Sequence, residues 1–313
     1  MLNAIAIVIV LLIFLNGATD ACTSIAAAVC SGAISMRRAA ILCGICNAVG
    51  GVCGVLFFGG IGESVLSATD FGDAGNIGVL ATLGASVLFA LGAWIAALPT
   101  SESHGILSAA AGASAALGGG DSVLRVLLPA VLWMSLCVLA GAAAGTVVPL
   151  LIPRTSREST VHRWQILSAA ASSLLHGVQD LSKFCAFLAL SGFARADHPA
   201  VIGIAAIVMG MGALCGGRRM TDAVGDDLAP LRPRTALAAD IACDTALLLL
   251  SAVGIPASTT HTKTAAVAAC AIVSPDGFIR KRQFFRCILA WVITFPACAA
   301  LGYLLARGLY AVL

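Results

Sequence analysis

The chain has 313 residues, of which 60% are hydrophobic and 11% charged, with a formal net charge of +3. An ordinary soluble domain carries roughly 25% charged residues, so a mean hydropathy of +1.01 excludes a soluble globular protein and indicates an integral membrane protein. The small positive charge is scattered over loops, leaving no basic patch as a footprint for nucleic acid.

The first apolar run, residues 1–15, has no Lys or Arg before it and continues into a polar motif and more apolar sequence. It reads as the first half of a membrane helix instead of a signal peptide. That helix is expected over residues 2–34, with Asn16-Gly17-Ala18-Thr19-Asp20 in its middle and Arg37-Arg38 behind it. A second helix follows over residues 39–59, then a glycine-rich loop, 60–76, whose charges are Glu63, Asp70 and Asp73. The next apolar run ends at Leu98, where Pro99-Thr100-Ser101-Glu102-Ser103-His104 forms a polar knot before a small-residue run to Gly120. A helix over 123–152 leads to a loop with Arg154, Arg157 and Arg163.

The pattern then starts again. A helix over 164–190 contains His176-Gly177-Val178-Gln179-Asp180, and another over 200–215 leads to a loop, 216–234. A run over 236–255 enters a second knot, Pro256-Ala257-Ser258-Thr259-Thr260-His261, followed by small residues, Arg280-Lys281-Arg282 and a last helix over 284–310. Several of these runs reach the ~20 residues that cross a ~30 Å hydrocarbon core as helix, and none shows the alternation of a barrel strand. The expected fold is an all-α integral membrane protein.

Both knots read P-x-S-x-[S/T]-H, and both are preceded by G-x-x-D; Asp20 and His104 are 84 residues apart, Asp180 and His261 81. The chain is therefore expected to be two copies of one unit, residues 1–153 and 162–313. Basic short loops stay in the cytoplasm. The loops at Arg37, Arg154, Arg218 to Arg234 and Arg280 share one side only if each knot is the tip of an out-and-back helical hairpin. Each copy then has about three transmembrane helices plus one hairpin. Three is odd, so the second copy is inverted and both termini face outside. Cysteines at Ser156 and Thr221 are expected to label from the cytoplasm, and one at Asp70 from outside.

Ionisable side chains inside a bilayer face a cavity or a partner. By position these are Asp20, Glu102, Asp180, Lys183, His104, His176, His261 and Lys263. Asp240 and Asp244, one turn apart near the start of their run, read instead as a solvated face. The knots suit a tetrahedral oxyanion: proline ends one helix, and the next opens with free N–H groups and several hydroxyls. Carboxylates can hold a driving cation or accept from a protonated anion; Asn16 and Gln179 stand beside them. The 12 cysteines lie singly in apolar sequence and imply no disulfides. Cys43-x-x-Cys46 has no nearby His or Asp in sequence and reads as packing.

With these motifs the chain resembles the inorganic phosphate transporter (PiT) family of sodium- or proton-coupled symporters, with N/H-G-A-N-D and P-V-S-T-T-H motifs in two inverted halves. The match extends through Gly216-Gly217-Arg218-Arg219, Asp222, Pro233 and the run from Ala290 to Pro296. The resemblance implies a phosphate importer of the cell membrane, a homodimer, with H+ or Na+ as coupling ion and no other cofactor. It assigns phosphate to Ser101, Ser103, Ser258, Thr259, Thr260, Asp20, Asp180 and Thr23. It assigns coupling to Asp20, Asp180, Lys183, Glu102, Asn16 and Gln179, with Na+ near the two aspartates and support from His104, His176 and His261. The chain departs from the family with Thr19 and Gln179 where Asn is usual and Glu102 where Thr is common. Lys183, three residues after Asp180 and on the same helical face, occurs in some bacterial members where sodium-coupled relatives have a neutral residue. Its ammonium is expected to replace one bound cation.

Sulfate transport on the same fold is the nearest alternative. An anion channel would be marked by currents far above carrier turnover. A hydrolase using Ser258, His261 and Asp180 would need one nucleophile, not a duplicated site, and no G-x-S-x-G or H-E-x-x-H occurs.

Overall fold

In the computed structural model, which describes all residues except 70, 72–74, 154–156, 194, 196, 276 and 313, every regular element is a helix. The expected helix over 2–34 is one rod in three pieces, α1 (Leu2–Thr19), α2 (Ala21–Ser24) and α3 (Ala26–Cys30). Asp20 keeps helical dihedrals, φ −79° and ψ −39°, and the second break is at Ile25, where ψ reaches 0°. The rod ends four residues early, at a turn through Gly32 with φ +80°.

Next come α4 (Met36–Phe57) and α5 (Gly60–Ala68). The stretch expected as a loop from 60 to 76 thus opens with a nine-residue helix, Glu63 in its first turn favouring the positive end of the dipole. Asp70 and Asp73 lie outside the described residues. The first knot separates α6 (Gly75–Ala96) from α7 (Glu102–Ala116), and α8 (Gly120–Leu151) completes the first half. The second half has α9 (Glu158–Leu190), six residues longer at its start than expected, then α10 (Pro199–Cys215) and α11 (Arg218–Val224). The latter is a short helix inside the expected loop over 216–234. After it, α12 (Pro233–Ala252), α13 (Thr259–Val273) and α14 (Lys281–Val312) flank the second knot and end the chain.

Among the described residues, six helices are long and apolar enough to cross a membrane, Leu2–Ser24, Met36–Phe57, Gly75–Ala96, Val123–Leu151, Pro233–Ala252 and Lys281–Val312. Two of these, α6 and α12, are first arms of the expected hairpins. Large apolar side chains such as Ile45, Phe57, Leu124, Leu139, Leu150 and Ile207 are exposed, as a lipid-facing surface requires. All 12 cysteines are free, and the buried Cys43 thiol donates to Ala21 O at 3.3 Å and lies within hydrogen-bond distance of Ser24 Oγ at 3.6 Å.

Contacts recur with the partners exchanged. α1 packs on α10 as α9 packs on α4, and α7 packs on α14 as α13 packs on α8. A Cβ added at Gly212 would lie 2.1 Å from Phe14 O, and one at Gly50 2.0 Å from Leu174 O. Phe14 stands six residues before Asp20, as Leu174 stands six before Asp180. Likewise Gly302 meets Ala109 O and Gly145 meets Ala266 O, each alanine eight residues beyond its serine, Ser101 or Ser258. Small residues at such crossings let membrane helices approach to backbone contact, where dispersion and weak hydrogen bonds hold them.

The two turns match in detail. Ala97 and Gly254, each four residues before its serine, have φ +49° and +71°. The next N–H reaches back five residues in both, Leu98 to Ala93 O at 2.9 Å and Ile255 to Leu250 O at 3.0 Å. This left-handed ending turns the chain out of the helix, and proline prevents its continuation.

Candidate functional site

Ser101 and Ser258 are the N-caps of α7 and α13. Each is extended, and its Oγ accepts from the backbone N–H three residues on, His104 at 3.5 Å and His261 at 3.3 Å. An N-cap serine satisfies one of the donors that a helix start leaves free. The ring of the same histidine folds back, Nδ1 lying 2.8 Å from Ser101 Oγ and 2.6 Å from Ser258 Oγ. The starts of α7 and α13 meet: the His104 and His261 rings are 5.1 Å apart edge to face, and His261 is 4.3 Å from Trp291, whose Nε1 donates to Pro99 O at 3.1 Å. Both histidines thus shape the tips.

Beside the tips lies Asp180. Spacings of four and three residues bring His176 and Lys183 to its face of α9. Asp180 Oδ2 accepts from Asn16 Nδ2 at 2.8 Å and lies 3.2 Å from His176 Nε2; Oδ1 is 3.0 Å from Lys183 Nζ. That ammonium has three protons, and Ser103 Oγ at 2.6 Å and Ala257 O at 2.8 Å take the other two. Lys183 therefore joins α9 to both tips. All these side chains are buried.

Asp20 completes the centre from the break in the first rod, where its carboxyl faces the Thr260 hydroxyl and the Glu102 backbone N–H. Asp20, His176 and Asp180 offer ligand atoms within 4.8 Å of one another. Thr19 Oγ1 donates to Glu102 Oε1 at 3.1 Å. Among the described residues, Asn16 Oδ1 and Glu102 Oε2 are buried here without hydrogen-bond partners. Each such orphan costs about 1–3 kcal/mol, and a ligand that satisfied it would recover that cost.

Other expected residues lie nearby in different roles. Gln179 is taken up by the second turn, donating to Ser251 Oγ at 2.8 Å and accepting from Ala257 N–H at 2.8 Å. Thr23 Oγ1 donates to Asp20 O at 2.7 Å, bridging the helix break, and Thr259 is buried in the first turn of α13.

Two features were not foreseen. Asn47 accepts from His176 Nδ1 at 2.6 Å, while its Nδ2 donates to Cys43 O, which fixes the amide. A lone Asn in an otherwise apolar helix was the available signal. Asp240 and Asp244 do not form a solvated face: Asp240 is wholly buried 2.6 Å from Lys263 Nζ, and Asp244 accepts from Ser168 and Ser172.

The Phosphate transporter family profile (PHO4) matches residues 16–164 and, separately, 151–302. A protein of Mycobacterium leprae (strain TN) called a probable low-affinity inorganic phosphate transporter is 28% identical over 307 residues, covering 92% of this chain and 73% of that one. One of the same description from Bacillus subtilis (strain 168) is 26% identical over 309 residues, 92% of this chain and 91% of that one. Sodium-dependent phosphate transporter 2 of Bos taurus is 29% identical over 162 residues, 47% of this chain and 25% of that one. The fold matches a solved structure described as the sodium-dependent phosphate transporter, with a TM-score of 0.80 over 100% of this chain and 99% of that one at 18% identity.

Proposed function

The chain belongs to the phosphate transporter family, and on that premise we propose that it carries inorganic phosphate across the cell membrane in symport with protons or sodium ions. The observation behind this reading is the meeting of the α7 and α13 starts over Asp20 and Asp180, with buried polar atoms left unpaired among the described residues. Helix N-termini and hydroxyls bind an oxyanion without a full opposing charge, so they also release it. Phosphate at neutral pH retains a proton that a carboxylate can accept; sulfate has none. A site made for such a donor can reject the analogue by up to about 10⁴-fold. Labelled phosphate uptake into proteoliposomes is expected to fall with added arsenate and to be unchanged by equal sulfate. Equal competition by sulfate would remove the carboxylate argument.

The halves, residues 1–153 and 162–313, are proposed as inverted repeats, with the knots as hairpin tips and both termini outside. Supporting this are the two family matches and the contacts that recur with partners exchanged. Inverted repeats with broken helices at the midplane are a common transporter plan. Thr221 is buried and cannot report topology, and Ser156 and Asp70 lie outside the described residues. Glu158 and Asp197, with side chains 75% and 62% exposed, can. In a cysteine-free background Glu158→Cys is expected to label from the cytoplasm and Asp197→Cys from outside; labelling of both from one side would end the inverted plan. The homodimer implied by the resemblance remains part of the proposal.

Cation coupling follows from charge. Asp20 and Asp180 lie beside a single ammonium, Lys183, and Glu102 lies beside both aspartates, so the three carboxyl groups offer places where protons or metal ions can accompany an anion into the centre. His176 stands between Asn47 and Asp180: its Nδ1 donates to Asn47 and its Nε2 faces the Asp180 carboxylate. Lys183→Asn is expected to change the ion that drives uptake, seen by imposing a pH gradient or a sodium gradient on wild type and variant. Identical sodium dependence in both would make Lys183 a counter-ion only.

A further inference from the structure

A second group of ionisable side chains lies between helices, with Lys263 and Asp240 buried and Asp244 half-buried, and its polar character is confined to one half of the chain. Lys263 on α13 is 1% exposed, and its Nζ is 2.6 Å from Oδ1 of Asp240 on α12. The same Nζ donates to Ser172 Oγ on α9 at 3.0 Å. Ser172 donates in turn to Asp244 Oδ1, and Ser168 donates to Asp244 Oδ2 at 2.7 Å. Five side chains from three helices form one connected network.

The matching places in the first half can be read from the motifs. Lys263 stands five residues after Ser258, as Ile106 stands five after Ser101. Asp240 and Asp244 stand eighteen and fourteen residues before Ser258, as Leu83 and Val87 do before Ser101. Ser168 and Ser172 stand twelve and eight before Asp180, as Val8 and Leu12 do before Asp20. Leu12, Leu83, Val87 and Ile106 form one buried apolar cluster with Val8 packed against it. The same three-helix junction is therefore filled by hydrocarbon in one half and by ions in the other, so the architecture does not require the ions. Apolar replacement of a buried ion pair is often neutral or stabilising, whereas an ionisable group inside a bilayer is costly to keep.

The network is also unbalanced. It holds two carboxylates and one ammonium, and the other titratable groups packed against it are the thiols of Cys243 on α12, Cys270 on α13 and Cys137 on α8. None of these supplies positive charge. Lys263 and Asp240 neutralise each other in direct contact, which leaves the surplus on Asp244. We propose that the Asp244 carboxyl, held by Ser168 and Ser172, binds and releases one proton in each transport cycle. This rests on the symport reading above and gives it a second coupling site outside the Asp20 and Asp180 centre. Lys263 follows the Ser258 tip on the same helix, so movement of α13 against α9 makes or breaks the Lys263 to Ser172 bond and changes the field at Asp244. Ser168 Oγ, already within hydrogen-bond distance, accepts from the protonated carboxyl.

Infrared titration of the purified protein tests proton binding without transport. A component of the carboxylic-acid band that rises on acidification is expected in wild type and missing in Asp244→Asn, while the other carboxyl groups titrate as before. In proteoliposomes, Asp244→Asn and the apolar variant Ser168→Val, Ser172→Leu, Asp240→Leu, Asp244→Val, Lys263→Ile are expected to keep phosphate exchange and to move one proton fewer per phosphate. The apolar variant copies a junction that the first half already packs. An infrared titration unaltered by Asp244→Asn, a signal that follows sodium instead of pH, or an unchanged proton-to-phosphate ratio would each overturn the proposal. Should wild type fail to carry phosphate, the symport reading falls while the infrared result still judges Asp244.

Discussion

Asp180→Ala is expected to abolish phosphate uptake and to yield a protein that unfolds well below wild type in a detergent melting experiment. The Lys183 ammonium would lose its counter-ion in a buried place, and Asn16 Nδ2 and His176 would lose their common acceptor. Removing one partner of a buried pair costs about 3–5 kcal/mol, a large part of the 5–15 kcal/mol that ordinarily separates folded from unfolded protein. The double variant Asp180→Ala, Lys183→Met separates stability from function, since it removes the uncompensated charge. It should melt closer to wild type and still not transport. Wild-type melting of Asp180→Ala would mean that the carboxylate is not the hub of the buried contacts.

Replacing Gly50 or Gly212 by Val is the second large change. A Cβ at either site falls 2.0 or 2.1 Å from a carbonyl oxygen of the crossing helix, where backbone has no soft direction to yield. The helices must part, and every contact along α4 and α9 or along α1 and α10 weakens together. Overpacking typically costs 1–3 kcal/mol, occasionally more, and the loss here belongs near or above the upper end because both partners are rigid. Aggregation or loss of the monodisperse peak in size-exclusion chromatography is the expected reading. Gly92→Ala is the control: its added Cβ has nothing within 4 Å, and within a helix the change favours folding by up to about 1 kcal/mol. If Gly50→Val and Gly92→Ala behave alike, close approach is not what holds the crossing.

The parts legible in the sequence were those where polarity interrupts hydrocarbon. Asp20, Asp180 and the two Pro-x-Ser knots stand out because an apolar run gives no local reason for them, and the structure gathers them at one point. The break at Ile25 was invisible, since neither glycine nor proline marks it. α5 was hidden by glycines that usually signal a loop. Asp240 and Asp244 were misread for a more general reason. In a soluble helix the polar stripe faces water, but in a membrane both the lipid side and the interior are apolar, so periodicity shows which residues share a face without showing where that face points. Lys263, alone among small residues, was the missing partner that would have turned Asp240 inward.

Lys183 also bears on how fast such a carrier can cycle. Its three protons hold Asp180, Ser103 on one tip and Ala257 beside the other, so a single ammonium clasps parts that must separate when the centre opens to either side. Hydrogen bonds from charged groups contribute about 1.5–3 kcal/mol each, and letting go of one without a substitute slows the opening step by roughly one to two powers of ten. A phosphate oxygen arriving at the tips is such a substitute. Under the proposed symport, the loaded carrier would open quickly while the empty one waits, and the clasp would be a timing element that discourages idle leakage of ions.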